Sequence, residues 1–421
     1  MMRNRRSGAF SESGDTKLYN GSSNSNLGDN VNTDSVPGVL VIQGTFQSIG
    51  ILRSLAAQRV PTYLIDWDFC VGRLSNCTKR FSTCPPVTEE ERFLEFLKDL
   101  AVKKNIKGWL IYANNDRTVD FLARHKKELE HIYRVDVPDW EITRVAIDKR
   151  LTYQLAEQIG IPIPQTFYPS SIEELKNLDI EFPAIIKPAI RDNFYEKARK
   201  KAIRVDNRSQ LFREYQKTAS LIDSSEIMVQ ELLPGAADNL YSFGSLFREG
   251  RVLGKVVARR SRQHPAEFGR VTTHAETVHI PELEELATRF LVALNYQGVS
   301  EVEFMQDPRD GKYKLLEINA RFWAWHSIGK AAGVDFPYLL YRDILGDKIR
   351  IDDFQDGVKW MRLLVDVPIS AALVARGKMS ITTYLRSWRG IKTLSVLSLR
   401  DPLPFLTEIL MVPYIAIKRG V

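Results

Sequence analysis

VSEVEFMQ (residues 299–306) and KYKLLEINAR (312–321) are two strand-like stretches joined by DPRDG (307–311), a turn with Pro and Gly where a reversal of direction needs them. Folding about that turn sets Glu303 near Glu317. Side chains alternate along a strand, so Glu317, Asn319 and Arg321 share one face while Leu316, Ile318 and Ala320 point to a core. Like charges opposed across a sheet destabilise it, and a cation between them reverses the sign. Two carboxylates and an amide oxygen suit Mg²⁺, with Mn²⁺ as an alternative, and leave the remaining coordination positions to water and phosphate oxygens. Glu303, Glu317 and Asn319 are therefore the candidate metal ligands, Glu301 is a rival on the same face, and Arg321 is placed to neutralise a phosphate. Taken alone, the hairpin also reads as a solvated acidic face.

Working outward toward the N-terminus, residues 1–36 are Ser, Asn, Gly and Asp with little to bury, and read as a disordered tail. VPGVLVIQGTF (36–46), IGILRSLAAQR (49–59) and PTYLIDWD (61–68) read as strand, helix, strand, the opening of a doubly wound α/β domain. KGWLIYANND (107–116) is a further strand, ending at Asp116 where such sheets place ligands; Asp116 reads as an amine binder or as a helix N-cap. The loop from Gly44 to Gly50 lacks the GxGxxG spacing, which argues against a dinucleotide site.

Downstream, DKRLTYQLAEQIG (148–160) reads as a helix stopped by Gly160 and IPIP. FPAIIKP (182–188) is a buried strand ending in Lys187, and the segment from Arg191 to Arg204 reads as a polar, basic loop without glycine. A helix near 208–220, the strand EIMVQELLPG (226–235), strands over 240–260 and the helix PELEELATRFLVALN (281–295) follow. Residues 350–421 read as a separate tail region.

In that order the residues resemble the ATP-grasp superfamily, in particular its carbamoyl-phosphate-synthase-like carboxylate–amine ligases, from about Val36 to Asp347. The resemblance implies a mixed α/β and α+β chain: a doubly wound pre-ATP-grasp domain (37–140), a two-lobed ATP-grasp domain (141–347, lobes about 141–230 and 231–347) and a C-terminal extension (348–421). Lys149 and Lys187 match the two ATP lysines, Glu231 and Leu233 the hinge beside adenine, and Asp238 a ribose-binding acid. Glu303, Glu317, Asn319 and Arg321 match the metal and triphosphate pattern. A lysine ending a buried strand needs an anion to offset its desolvation, which agrees with this role for Lys187.

The absence of glycine in 191–204 departs from the glycine-rich cover of many relatives; Lys197, Arg199, Lys200 or Lys201 would supply charge instead, unless the loop is merely solvated. The implied reaction is ATP-dependent joining of a carboxylate to an amine through an acyl phosphate, which asks for positioning and charge rather than a covalent nucleophile. Among Arg259, Arg260, Arg262 and Arg270, the pair Arg260 and Arg270 are the candidates for holding the carboxylate, with Arg321 at the phosphate. His264 and His274 are candidates for positioning an amine or acting as a base. Phe322, Trp323, Trp325 and His326 read as core packing behind Arg321. The competing functions are a retired ATP-binding scaffold and a membrane-peripheral protein.

The net charge of +7 suits anionic ligands, but no nucleic-acid signature accompanies it. Cys70, Cys77 and Cys84 recur every seven residues without a neighbouring His and fall short of a zinc set. No apolar core follows the basic MMRNRRSGAF, and no apolar run is long enough to span a bilayer, so a cytoplasmic protein is expected. The expected partners are small-molecule carboxylates and amines, amino acids among them, and a second copy in a homo-oligomer. The end of the chain, DPLPFLTEILMVPYIAIKRGV (401–421), reads as an apolar stretch broken by prolines that docks on the protein's own body or lies on a membrane surface.

Overall fold

Three sheets organise the chain in the computed structural model, which describes residues 36–198, 200–235, 239–265, 269 and 271–419. The polar tail expected over 1–36 lies almost wholly outside them, as do Asp238 and Arg270. The first sheet contains β1 (Val39–Ile42), β2 (Thr62–Asp66), β3 (Arg80–Thr83), β4 (Leu110–Tyr112) and β5 (Arg134–Val135), in the order β3-β2-β1-β4-β5 and parallel throughout. β1, β2 and β4 are buried at every residue, which is why they read as unbroken apolar runs. The helix Asp116–Arg124 follows β4. Its N-cap is Asn115, whose side chain accepts from the Thr118 N–H, and not Asp116. Asp116 is thereby left with its carboxylate facing elsewhere.

The second sheet is antiparallel: β6 (Thr166–Phe167), β7 (Ala184–Pro188), β8 (Ile203–Val205) and β9 (Ile227–Glu231) in the order β6-β9-β7-β8. The helix Arg208–Ala219 covers it through Leu211 and Tyr215. Part of the segment read as a basic loop is a helix, Arg191–Ala198. Phe194, 1% exposed among charged neighbours, anchors it into the same core. One large apolar side chain outweighs the polar composition there.

β10 (Leu240–Arg248), β11 (Arg251–His264), β12 (Val271–Thr277), β13 (Gly298–Gln306), β14 (Tyr313–Asn319), β15 (Lys359–Met361) and β16 (Ile391–Leu394) form the third sheet. Its order is β14-β13-β10-β11-β12-β15-β16, antiparallel except for the final pair. Gly244 on β10 lies under Trp323: a Cβ there would stand 2.1 Å from the Trp323 ring. Trp323, Trp325, Phe322 and His326 are all buried, so the aromatic cluster packs the core as expected.

The stretch read as a separate tail contributes β15 and β16 to this sheet. Strands of three and four residues carry too little periodicity to be seen in the sequence. The chain ends in one helix, Leu403–Arg419, with Pro404 in its first turn, where helix N–H groups lack partners anyway. Arg362 to Glu408 (2.7 Å), Arg53 to Asp401 (2.9 Å) and packing of Phe405 and Met411 against Ile49 and Val71 tie it to the body. Among the described residues no helix is long and apolar enough to cross a membrane.

Candidate functional site

β13 and β14 pair as the sequence requires, with Glu303 directly opposite Glu317 and Glu301 opposite Asn319. The ladder shifts between Glu303 and Phe304, whose partner is Leu315, so Leu316 is an extra residue on β14. The core therefore receives Leu315 (fully buried) and Ile318, whereas Leu316 joins Glu317 on the cavity side and packs with Leu233, Leu240 and Met305. The expectation that Leu316 faces the core is corrected by this bulge, which gives the cavity an apolar contact immediately beside a carboxylate.

Each opposed carboxylate has its own cation. Lys149, the first residue of the helix Lys149–Gln158, reaches Glu317 Oε2 at 3.0 Å. Arg260 Nη1 reaches Glu303 Oε2 at 2.7 Å. Asn319 Nδ2 donates to Glu303 (3.0 Å) and to Glu301 (3.1 Å), and its Oδ1 accepts from Arg321 Nη2 at 2.9 Å. Glu301 also accepts from the Trp325 indole at 2.9 Å. It is 3% exposed and contributes to neither of the two cavities described below, so the structure sets it behind Glu303 and Asn319 rather than beside them. Burial and the neighbouring Glu303 push its carboxyl up to about 8, against the pull of Arg260.

A cavity of about 600 Å³ opens between the second and third sheets, lined by Lys149, Lys187, Arg260, Glu303 and Glu317 at one end and by Ile185, Leu233, Met305 and Leu316 toward the other. Lys187 Nζ donates to Tyr153 Oη at 2.6 Å, and that hydroxyl donates to the Leu316 carbonyl at 2.8 Å, linking the two sheets. Burial, reinforced by the like charge of Lys149 and opposed by Glu317, depresses the Lys187 amine to about 7. Tyr153 was not singled out from the sequence, although it lies one helical turn beyond Lys149 on the same face.

Glu231 and Leu233 also line this cavity, but the Glu231 carboxylate is engaged by Lys314 (2.8 Å), by Arg309 and by the Gln165 N–H (2.9 Å). Burial works to raise its pKa, and these donors outweigh it, holding the carboxylate below the ordinary range. Among the basic residues considered for cover, Lys201 lines the cavity and donates to the Gly269 carbonyl. Lys197 turns instead to the Leu221 carbonyl at 2.6 Å.

A second cavity of about 450 Å³ shares Lys149 and Glu317 with the first and adds Asn319, Asp116, Arg117, Arg124 and Glu90. Asp116, which lines this cavity at the start of the helix after β4, takes Arg321, two residues beyond β14, through both carboxylate oxygens. Of the remaining candidates, Arg262 is held by Asp366 at 2.8 and 2.9 Å, and Arg259 is half exposed near Glu276. His274 bonds Ser261 and the Ser387 carbonyl, and burial depresses it to about 3. It is a neutral cross-link between strand and helix and has no place at the cavity. The cysteines are free, and burial pushes the Cys70 and Cys84 thiols up to about 12, which leaves them inert at neutral pH.

Comparison with known proteins agrees with this geometry. The family described as "Carbamoyl-phosphate synthase L chain, ATP binding domain" matches residues 273–350, the stretch containing the hairpin. A D-aspartate ligase of Enterococcus faecium is 26% identical over 256 residues, which is 56% of this chain and 59% of that protein. The chain thus spans less than two thirds of that relative's length. Among solved structures, an L-amino acid ligase from Bacillus licheniformis superposes with TM-score 0.56 at 16% identity, covering 74% of each chain. A biotin carboxylase from Campylobacter jejuni, in complex with β-γ-ATP, does so with TM-score 0.61 at 15% identity, covering 78% of this chain and 75% of that one. A doubly wound parallel sheet, a cavity between two further sheets and a carboxylate-bearing hairpin together give the chain the fold of the ATP-grasp ligases.

Proposed function

We propose that the protein is an ATP-dependent ligase that joins a carboxylate to an amine through an acyl phosphate. The observation that carries this reading is that Lys149 and Glu317 line both cavities at once. A nucleotide in the larger one then presents its terminal phosphate to a substrate in the smaller. The apolar end formed by Ile185, Leu233, Met305 and Leu316 suits adenine, and the backbone of 231–233 runs beside it. Lys149, Lys187 and Arg260 gather the triphosphate.

The donor set fits Mg²⁺. Glu303, Glu317 and Asn319 supply hard oxygens, too few for a protein-only cage and the right number for an ion that takes the rest from phosphates. Among the described residues no three His, Cys, Asp or Glu converge as such a cage. The ion would neutralise charge developing on the transferred phosphoryl group. Arg260 also has a buried Nε–H without a hydrogen-bond partner among the described residues, so it keeps donor capacity beyond its contact with Glu303.

In the first step a carboxylate oxygen attacks the γ-phosphorus and ADP leaves. In the second an amine attacks the acyl carbon, phosphate departs with the bonding pair, and the amine loses a proton. The chain's residues bind, orient and neutralise, and none forms a covalent bond. The charged wall of the second cavity, with Arg117, Arg124, Asp116 and Glu90, suits small zwitterions, so amino acids are the substrate class to test first. The test is phosphate release from Mg²⁺-ATP across pools of amino acids and small acids, with mass spectrometry of the products. Release that requires both an acid and an amine, with a new amide, supports the reading. Tight ATP binding without turnover for any pair replaces it with a retired scaffold.

A further inference from the structure

Within the C-terminal extension, residues 363–412 present many apolar side chains to solvent and their acids to the protein. The helix Leu363–Ala375 is almost wholly apolar, yet the residues it buries are Asp366 and Ser370. Asp366 is fully buried against Arg262, while Val367, Pro368, Ala371 and Ala372 face outward. A surface helix ordinarily does the reverse. The next two helices also expose apolar side chains. Ile381, Leu385 and Trp388 are exposed at spacings of four and three residues, and Leu403, Leu406 and Leu410 at three and four, so each forms an outward stripe. Leu410 is 81% exposed and Leu399, between the helices, 95%.

Charge sorts in the same direction. Between residues 363 and 412 the acids are Asp366, Asp401 and Glu408, each buried and each paired with an arginine outside that stretch, Arg262, Arg53 or Arg362. The basic residues of the same stretch, Arg376, Lys378, Arg386, Arg389, Lys392 and Arg400, are all exposed. Between residues 363 and 412 the exposed charge is therefore positive only.

We propose that residues 363–412 form a docking surface for a bilayer containing anionic lipid, independent of whatever reaction the ATP site performs. Apolar stripes enter the acyl boundary, Trp388 lies at the headgroup level, and the arginines and lysines meet lipid phosphates. A second copy of the chain is a poor occupant, because it would set one wholly basic face against another. No described helix is long and apolar enough to span, and the proposed contact is a surface one.

The test is co-sedimentation of the full chain with phosphatidylcholine vesicles, with and without phosphatidylglycerol, at low and high salt. The expected result is pelleting only with the anionic vesicles, weakened by salt. Leu385→Glu with Leu410→Glu abolishes it, and Arg386→Gln with Arg389→Gln lowers the partition coefficient by more than about tenfold. All four side chains are exposed, and unchanged thermal unfolding of the variants verifies that the fold is intact. No pelleting, equal pelleting with neutral vesicles, or pelleting indifferent to both double variants overturns the proposal. So does a stable dimer in sedimentation equilibrium that these variants dissociate, because the face would then belong to a second copy.

Discussion

If Lys187 binds a triphosphate, nucleotide affinity should follow the protonation of one amine. In the free protein that amine is depressed to about 7, first by burial and then by Lys149, with Glu317 opposing. Near pH 8 only about one molecule in ten carries the ammonium, and near pH 6 about nine in ten do. Anion binding favours the charged form, so binding above pH 7 must draw a proton from solvent. Affinity should fall by up to about tenfold per unit as pH rises from 7 toward the higher pKa of the bound state. Titration calorimetry in two buffers of different ionisation enthalpy reads the uptake directly, and the uptake should be larger at pH 8 than at pH 6. Lys187→Arg is the control, because a guanidinium is charged throughout and leaves only the nucleotide's own protonation. The linkage has a second consequence in the nucleotide-free protein. The folded pKa lies below the unfolded one, so the unfolded chain binds more protons and this residue's contribution to stability rises with pH between about 7 and 10.5. Lys187→Met should then raise the melting temperature at pH 7 while abolishing nucleotide binding. Equal proton uptake by the wild type and Lys187→Arg would refute the reasoning.

Glu317→Ala should abolish metal-dependent nucleotide hydrolysis with the melting temperature little changed; near-normal activity would sink the metal assignment. Tyr153→Phe removes both the partner of Lys187 and a bond to the Leu316 carbonyl. It should cost about 1–3 kcal/mol of stability in denaturant titrations and weaken nucleotide binding. Gly244→Ala puts a methyl where the Trp323 ring stands and should destabilise by about 3 kcal/mol, with a change in tryptophan fluorescence; a wild-type melting curve would contradict the packing.

The hairpin was legible because two independent rules meet there. Turn chemistry set its register, and the opposed charges of Glu303 and Glu317 called for cations, which the structure supplies as Arg260 and Lys149. The parallel sheet was legible because strands buried on both faces leave unbroken apolar runs. Leu316 was misread because strict alternation does not foresee a bulge, and nothing in KLLEIN announces one. The engagement of Glu231 by Arg309 and Lys314 was invisible for a different reason: these residues lie about 80 positions away and meet it only across two sheets. Asp116 was noticed for its place at a strand end, but its contact with Arg321 depends on how two separate sheets dock. The helix at 191–198 was missed because a single Phe194, rather than a periodic pattern, holds it.

The two proposed surfaces share one sheet. β14, with Glu317 and Asn319, is the first strand in the order and β16, beside the basic extension, is the last. Six inter-strand spacings put roughly 29 Å between them, measured along the sheet. The helix Leu363–Ala375 of the extension comes nearer than β16 does, because its Asp366 reaches Arg262 on β11, the middle strand of the sheet. The link is mechanical: Arg260 and Arg262 share β11, one paired with Glu303 and the other with Asp366 of the extension. If lipid binding pulled Asp366 outward, Arg262 would lose both bonds, yet that acid is fully buried and on the side away from the exposed residues. Docking should leave it in place. Anionic vesicles should accordingly localise the protein without changing its nucleotide affinity, and a shift larger than about threefold on adding vesicles would mean that the strand transmits more than its packing suggests.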